Sequence, residues 1–408
     1  MSNNQKMDPD LRRMLKPAHH WKRRIPLVQV IVQFKGKNQK KQLQALKKYM
    51  HPYQLKNHVR LGLIRSIAVK VPADCIGRLC SCKQVSYVYR DRKNRIHLNV
   101  ATPAIGASAA QASGWTGSGV TIAILDTGIY PHPDLTKPIN RIVAFKDFIN
   151  NRKRPYDDNG HGTHCAGDAA GNGLSSKGKY KGPAPKAKLV GIKVLDRDGI
   201  GTDSTTIRGI DWCVKNKKRL GIRILSLSLG GSASVPSKRD PLCQAVEKAW
   251  KQGLAVVTSA GNSGPGRRTI SSPGISPLGI TVGASNDRGS TKVSDDRIAR
   301  FSSRGPTIDG VVKPDLVAPG TTIISLRAPG SALDQTEKSS RKGRWYFTLS
   351  GTSMSTPIVA GTAAQLLQKH RSLTPNQVKR LLKRRALSLG ANQNTQGSGA
   401  VDVRFLAR

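Results

Sequence analysis

Three short segments carry residues suited to chemistry on acyl groups. The first is Ile124-Leu125-Asp126-Thr127-Gly128, an apolar run that ends abruptly in an acid beside a turn-forming glycine. Alone, such an Asp reads as a cap on a turn. The second runs from Asp158 to Gly167 and sets His161 and His164 among glycines at the start of a helix. The third runs from Ser350 to Gly361, where a Gly/Thr/Ser turn opens an apolar helix. Alone, its serines read as N-caps. Pro357 is tolerated only near a first helical turn, which places Ser353 at the helix start. Free N–H groups and the positive end of the helix dipole favour a developing oxyanion there.

Taken together, the segments supply an orienting acid, a base and a nucleophile in the order Asp126, His161, Ser353, one of the known convergent orders for such a triad. The serine hydroxyl would attack a carbonyl, His161 would take and return its proton, and Asp126 would hold the imidazole tautomer. A zinc site on His161, His164 and Cys165 is the alternative for the second segment, but no second ligand cluster accompanies it.

Elements must bring these segments together. Strands are expected at 121–125, 188–194, 222–227, 255–259 and 280–282, and helices near 162–171, 203–218, 240–252, 353–369 and 374–384. Continuous apolar strands alternating with helices imply a mostly parallel sheet covered on both faces, with its site at the C-terminal strand ends. Before them, residues 25–90 read β-α-β-β-α-β, a small ferredoxin-like α+β unit. The boundaries expected are a basic lead-in at 1–24, the small domain at 25–95, a linker with a processing site at 96–118, and the large domain at 119–408.

The motifs DTG, HGTHCAG and GTSMSTP resemble those of the subtilisin-like serine proteases, peptidase family S8, and the resemblance runs from about Gly117 to Val403. It implies a three-layer α/β fold and an endopeptidase that forms an acyl-enzyme on Ser353. Ser259–Gly264 resembles the family's oxyanion-hole loop, so Asn262 would donate its side-chain amide, beside the Ser353 N–H. Gly199, Ile200 and Gly201 resemble one wall of the substrate channel, Ser228, Leu229 and Gly230 the other, with Ala260 and Gly261 beside them. Both walls would pair with an extended peptide as an added strand. The N-terminal unit resembles the family's propeptide, an intramolecular chaperone and inhibitor. An autoprocessed zymogen follows, with cleavage near Arg95–Ala104. No acidic cluster lines the pocket motifs, so an apolar or aromatic preference at the first position is expected, without dibasic specificity.

The resemblance implies no cofactor for the chemistry. Many relatives bind calcium in a loop after the histidine helix; here that stretch, Gly171–Lys179, has no carboxylate, which leaves the strong site unmatched. Other structural calcium sites stay open, and the metal content is otherwise unknown.

The 408 residues carry a formal net charge of +44, and the first hundred hold 23 Lys/Arg against 4 Asp. Such charge favours loose attachment to anionic surfaces. No helix-turn-helix, zinc-finger or aromatic RNA-binding signature appears, so no specific nucleic acid is expected. No apolar run reaches membrane-spanning length. Protein and peptide substrates, the chain's own propeptide and a monomeric state are the partner expectations. Six scattered cysteines read as free thiols, and the N-terminus lacks the apolar run of a secretory signal. A cytoplasmic location is therefore expected, with a non-standard export route as the alternative. The resemblance is to the signal-less bacterial branch.

Overall fold

Apolar runs of about six residues cannot each find a partner in solvent; they stack side by side as a sheet buried on both faces. The computed structural model describes residues 6–15, 25–35, 39–46, 48–50, 57–91, 93–96 and 105–407. Its main sheet runs, edge to edge, through Arg297–Ile298, Ile280–Asn286, Ala255–Ser259, Ile222–Leu227, Thr121–Asp126, Lys188–Lys193 and Ile142–Asp147. Leu316–Pro319 also pairs with Ile280–Asn286. All these pairings are parallel except that with Arg297–Ile298. Every residue of Thr121–Asp126 is buried, as a central strand requires.

Chain order turns around this strand. Lys188–Lys193 pairs on one side of it, and the next long strand, Ile222–Leu227, pairs on the other. That reversal opens a crevice at the C-terminal strand ends, where Asp126 is the last residue. Helices cover both faces. Thr202 caps Asp203–Leu220 by accepting from Thr205 N, and Gly221 ends it in the left-handed region. Asp240 accepts from Leu242 and Cys243 N at the start of Pro241–Lys251. Helix Thr352–Lys369 is buried from Thr352 to Leu367 and packs against helix His161–Ala170. The helices expected from periodicity occur within two residues of their expected bounds.

The N-terminal sheet has the order Val59–Leu61, Ser66–Pro72, Leu27–Phe34, Val85–Arg90, all antiparallel. Side chains alternate across it. Val30, Val32, Ile67, Val69 and Val88 face a small core with helices Gln39–Leu46 and Cys75–Ser81. Ile31, Ala68, Tyr87 and Tyr89 face the other way and join the core of the large domain. The sheet thereby packs on helices Asp203–Leu220 and Pro241–Lys251, where Gln33 Nε2 donates to Gln244 Oε1 at 2.7 Å.

Packing draws parts of the expected lead-in and linker into the folded structure. Part of the basic lead-in is not a detached extension: Pro9–Leu15 is helical, Leu11 is fully buried, and Met7 bridges to Val88. Part of the linker belongs to the large domain, because Ala107–Ala112 is a helix that buries Ala107 and Ala110 in the main core.

Candidate active site

Asp126 and His161 come from different elements, and the chain must pack closely to join them. Gly162 allows this: a Cβ there would lie 2.2 Å from Gly128 O. His161 Nδ1 then lies 2.8 Å from Asp126 Oδ1, with both side chains fully buried. The same Asp126 oxygen accepts from Thr127 N at 2.7 Å. A carboxylate at Nδ1 holds the proton on that nitrogen and leaves Nε2 as the basic one.

A second carboxylate builds the frame. Asp157 accepts from Thr127 Oγ1, Asn159 N, Gly160 N, Thr163 N and Thr163 Oγ1, at 2.6 to 3.2 Å. It thus ties the Asp126 loop to the first turn of the His161 helix. Lys193 adds a third tie from within the core. Its ammonium, with no exposed side-chain surface, donates to Thr127 O and Asp158 Oδ1, each at 2.6 Å, and to Leu195 O at 2.9 Å.

Ser353 sits in the first turn of its helix. Pro357 has no N–H to give to the Ser353 carbonyl four residues back. Ser228 Oγ donates to that carbonyl instead at 2.6 Å, and the Cys165 thiol reaches it at 3.6 Å. Ser353 Oγ donates to Ser228 O at 3.1 Å. Asn262 Oδ1 accepts from Thr352 N at 3.0 Å and Thr352 Oγ1 at 2.9 Å. With its oxygen fixed on the residue before Ser353, the Asn262 amide presents its NH2 as the donating end.

The two segments expected to form the channel walls hold an extended strand of the chain itself. Lys93–Ile96 lies antiparallel between Ile200–Thr202 and Leu229–Gly230, with Asn94 opposite Gly201, Arg95 opposite both Ile200 and Gly230, and Ile96 opposite Leu229. Gly199 makes the turn before its wall, at φ 71°. Just upstream, Asp91 accepts from Ser204 N at 2.9 Å and Ser204 Oγ at 2.5 Å, at the N-terminus of helix Asp203–Leu220. Ala260 and Gly261 do not pair with this strand. Ala260 N donates to Val282 O and its carbonyl accepts from Ser271 N; Gly261 N donates to Thr352 Oγ1 and its carbonyl accepts from Ser303 N. Their backbones hold the Asn262 loop in place.

The zinc alternative comes apart. His164 uses both ring nitrogens elsewhere, Nδ1 at 2.9 Å from Asp168 Oδ2 and Nε2 at 3.2 Å from the carbonyls of Ile323 and Phe347. Asp126, His161 and Cys165 do group their ligand atoms within 4.8 Å. Burial pushes the Cys165 thiol well above its ordinary pKa, so it is protonated and a poor ligand. The calcium loop does not fit its ion either. The carboxylate that reaches it, Asp134, accepts from Ser175 N at 2.8 Å and Tyr346 Oη at 2.7 Å, so each oxygen already has a donor. Lys177 and Lys179 add positive charge to the same loop. Both features oppose a hard cation.

A doubly covered parallel sheet with an Asp–His pair and a helix-borne serine at its C-terminal edge defines a subtilisin-type serine protease. Residues 117–399 match the Subtilase family, and the chain belongs to it. Serine protease AprX of Bacillus subtilis (strain 168) is 48% identical over 353 residues, 84% of this chain and 79% of the relative. Subtilisin Savinase of Lederbergia lenta is 38% identical over 304 residues, 74% of this chain and 96% of the relative. Fervidolysin from Fervidobacterium pennivorans, described as a keratinolytic enzyme related to subtilisin, superposes with a TM-score of 0.72 at 24% identity. That match covers 94% of this chain and 61% of fervidolysin's length, and it speaks for the fold.

The protein is therefore a hydrolase that acts on proteins, and its family's chemistry needs no cofactor. Among the described residues no helix is long and apolar enough to cross a membrane. The cytoplasmic expectation is corrected. The relatives, among them subtilisins and alkaline proteases, point instead to an extracellular location. The cysteine argument failed because burial protects thiols in any compartment. All six are free and buried, and desolvation raises Cys80 to about 11 and Cys213 above its ordinary value.

Proposed function

We propose that the chain is the zymogen of a serine endopeptidase, with Asp126, His161 and Ser353 as its triad and residues up to the end of Lys93–Ile96 as its inhibitor. The observation that carries this reading is the Lys93–Ile96 strand, which occupies both channel walls as a peptide substrate would. Its main-chain pairing is tolerant of side chains. Ser353 Oγ rotates from Ser228 O toward His161, which takes its proton as the hydroxyl attacks the carbonyl. The Asn262 amide and the Ser353 N–H receive the negative charge on the former carbonyl oxygen. His161 then protonates the leaving amine, and water hydrolyses the acyl-enzyme by the reverse sequence.

The register also favours one bond as the processing site. Antiparallel pairing advances one residue per residue, and Ser228, next to Leu229, is the residue that touches Ser353. A peptide held in this register offers its next carbonyl to the nucleophile, so cutting is expected after His97, in the segment that lies outside the described residues. For foreign substrates an apolar or aromatic first residue is preferred. The cavity of about 860 Å³ beside the channel is lined from the large domain by Gly231, Ala233, Gly261, Ile270 and Ser271, with Arg268 among them; its acid, Asp91, comes from the N-terminal unit and is engaged by Ser204.

Intact masses of wild type and Ser353→Ala test the reading. Loss of roughly the first 97 residues in wild type alone, with Leu98 as the new N-terminus, is the expected result. Two full-length proteins and no labelling of wild type by a fluorophosphonate would refute it.

A further inference from the structure

Beside the C-terminal half of the catalytic histidine helix lies a cavity of about 920 Å³. Helix Ala107–Ala112, the end of helix His161–Ala170, and residues 178–181, 286–291 and 321–325 line it. It shares no lining residue with the triad or the substrate channel. A cavity of this size with a few convergent polar groups is the usual form of a small-ligand site.

Charge is segregated across it. Asp168 is 1% exposed, and its Oδ2 faces His164 Nδ1 at 2.9 Å. Its Oδ1 is buried with no partner among the described residues. The neighbouring Ser325 hydroxyl does not answer it, because that hydroxyl donates to the His164 carbonyl at 2.9 Å. Gly167 allows this approach, since a Cβ there would lie 2.3 Å from Ser325 Oγ. A buried carboxylate oxygen without a donor is costly. Asp287, 6% exposed, lines the same cavity. The bases that line it, Lys179, Lys181 and Arg288, are all exposed. The cavity thus presents negative charge within and positive charge at its mouth. Among the described residues no third His, Cys or acid joins Asp168 and Asp287 at metal-holding distance, so a bare ion does not suit it.

We propose that this cavity binds a short peptide by its two charged ends. The α-ammonium enters and donates to Asp168 Oδ1, with Asp287 adding a second negative charge. The α-carboxylate stays among Lys179, Lys181 and Arg288. Such charge-assisted hydrogen bonds are roughly twice as strong as neutral ones. An extended residue spans about 3.3–3.6 Å, which limits the ligand to two or three residues in this volume. Cutting a protein frees an α-ammonium at each break, so the smallest products of proteolysis belong to the class.

Calorimetric titration of full-length Ser353→Ala protein with the dipeptide Ala-Ala gives the test. In that protein Lys93–Ile96 already fills the channel, which leaves the cavity to take the peptide. One site is expected. N-acetyl-Ala-Ala and Ala-Ala amide, each with one end capped, should bind at least about ten-fold more weakly. Asp168→Asn, which keeps an acceptor for His164 and removes the charge, should weaken Ala-Ala binding to a similar extent. Ala112→Trp should do the same: it puts a ring into the cavity from an exposed helix position and leaves Asp168 untouched. No binding of Ala-Ala at about 10 mM overturns the proposal. So does equal binding of either capped peptide, or unchanged Ala-Ala binding in Ala112→Trp.

Discussion

Lys193 offers the sharpest check on how the site is held. Lys193→Met keeps the length of the side chain and removes the ammonium. Three acceptors lose their donor at once: the Thr127 carbonyl, Asp158 and the Leu195 carbonyl. Breaking a buried charge pair costs roughly 3–5 kcal/mol, and the low end applies because the Asp158 side chain is 28% exposed. The catalytic consequence is geometric. Thr127 follows Asp126, and its hydroxyl accepts from Gly162 N beside His161, so freeing its carbonyl loosens both. A misplacement on the order of 1 Å can cost about 100-fold. We expect kcat to fall 10- to 100-fold with KM within about two-fold, and Lys193→Arg to recover part of the loss. A chromogenic tetrapeptide assay gives the rates. Melting curves in the Ser353→Ala background give the stability. A folded Lys193→Met enzyme with more than half the parent kcat would refute the reasoning, and so would a loss confined to KM.

Other outcomes follow from the same contacts. Asn262→Ala should cut kcat about 100- to 1,000-fold, the range known for such a donor in subtilisin; Thr352→Val, which removes one of the two donors that orient that amide, should give a smaller loss in the same assay. Asp315→Asn should lower stability by roughly 3 kcal/mol or more in urea melts, because Lys313 is 1% exposed and pairs with Asp315 at 2.5 Å. The Lys313 cation holds the Asp315 carboxyl below its ordinary pKa against burial. The stability from this carboxylate is therefore present above about pH 4 and is lost as pH falls below that, an acid limb that Asp315→Asn should flatten. Cys165 should resist iodoacetamide in the folded enzyme and react once urea exposes it, because burial keeps the thiol protonated.

The readable residues were those at which an apolar pattern breaks. Asp126 ends a buried strand, His161 follows Gly160 at a helix start, and Ser353 stands one turn before Pro357, so each announced a position as well as a type. Lys193 gave no such signal. At the end of the run Lys188–Lys193 it reads as the polar end of a strand, and its acceptors at Thr127 and Asp158 come from loops 66 and 35 positions away. The strand Ile142–Asp147 escaped for a similar reason: an edge strand with mixed burial lacks a continuous apolar run. Strands Ile323–Leu326 and Tyr346–Leu349 pair across an intervening segment, and local sequence does not encode that contact.

The large positive charge is better understood from where the acids lie than from any binding partner. Among the described residues, thirteen acidic side chains are buried against four basic ones, while the sequence holds 24 acids and 68 bases. Most of the buried acids have internal tasks. Asp126 holds His161, Asp157 frames the site, Asp240 caps a helix, Asp315 neutralises Lys313, and Asp334 takes Arg327 and Arg341. Acids are scarce on the surface, where substitution is cheap, and kept in the interior, where each has a donor to satisfy. The surface is thus more basic than the net charge suggests. Within this pattern the Asp287–Asp296 loop stands apart, because its two buried carboxylates have no base to answer them.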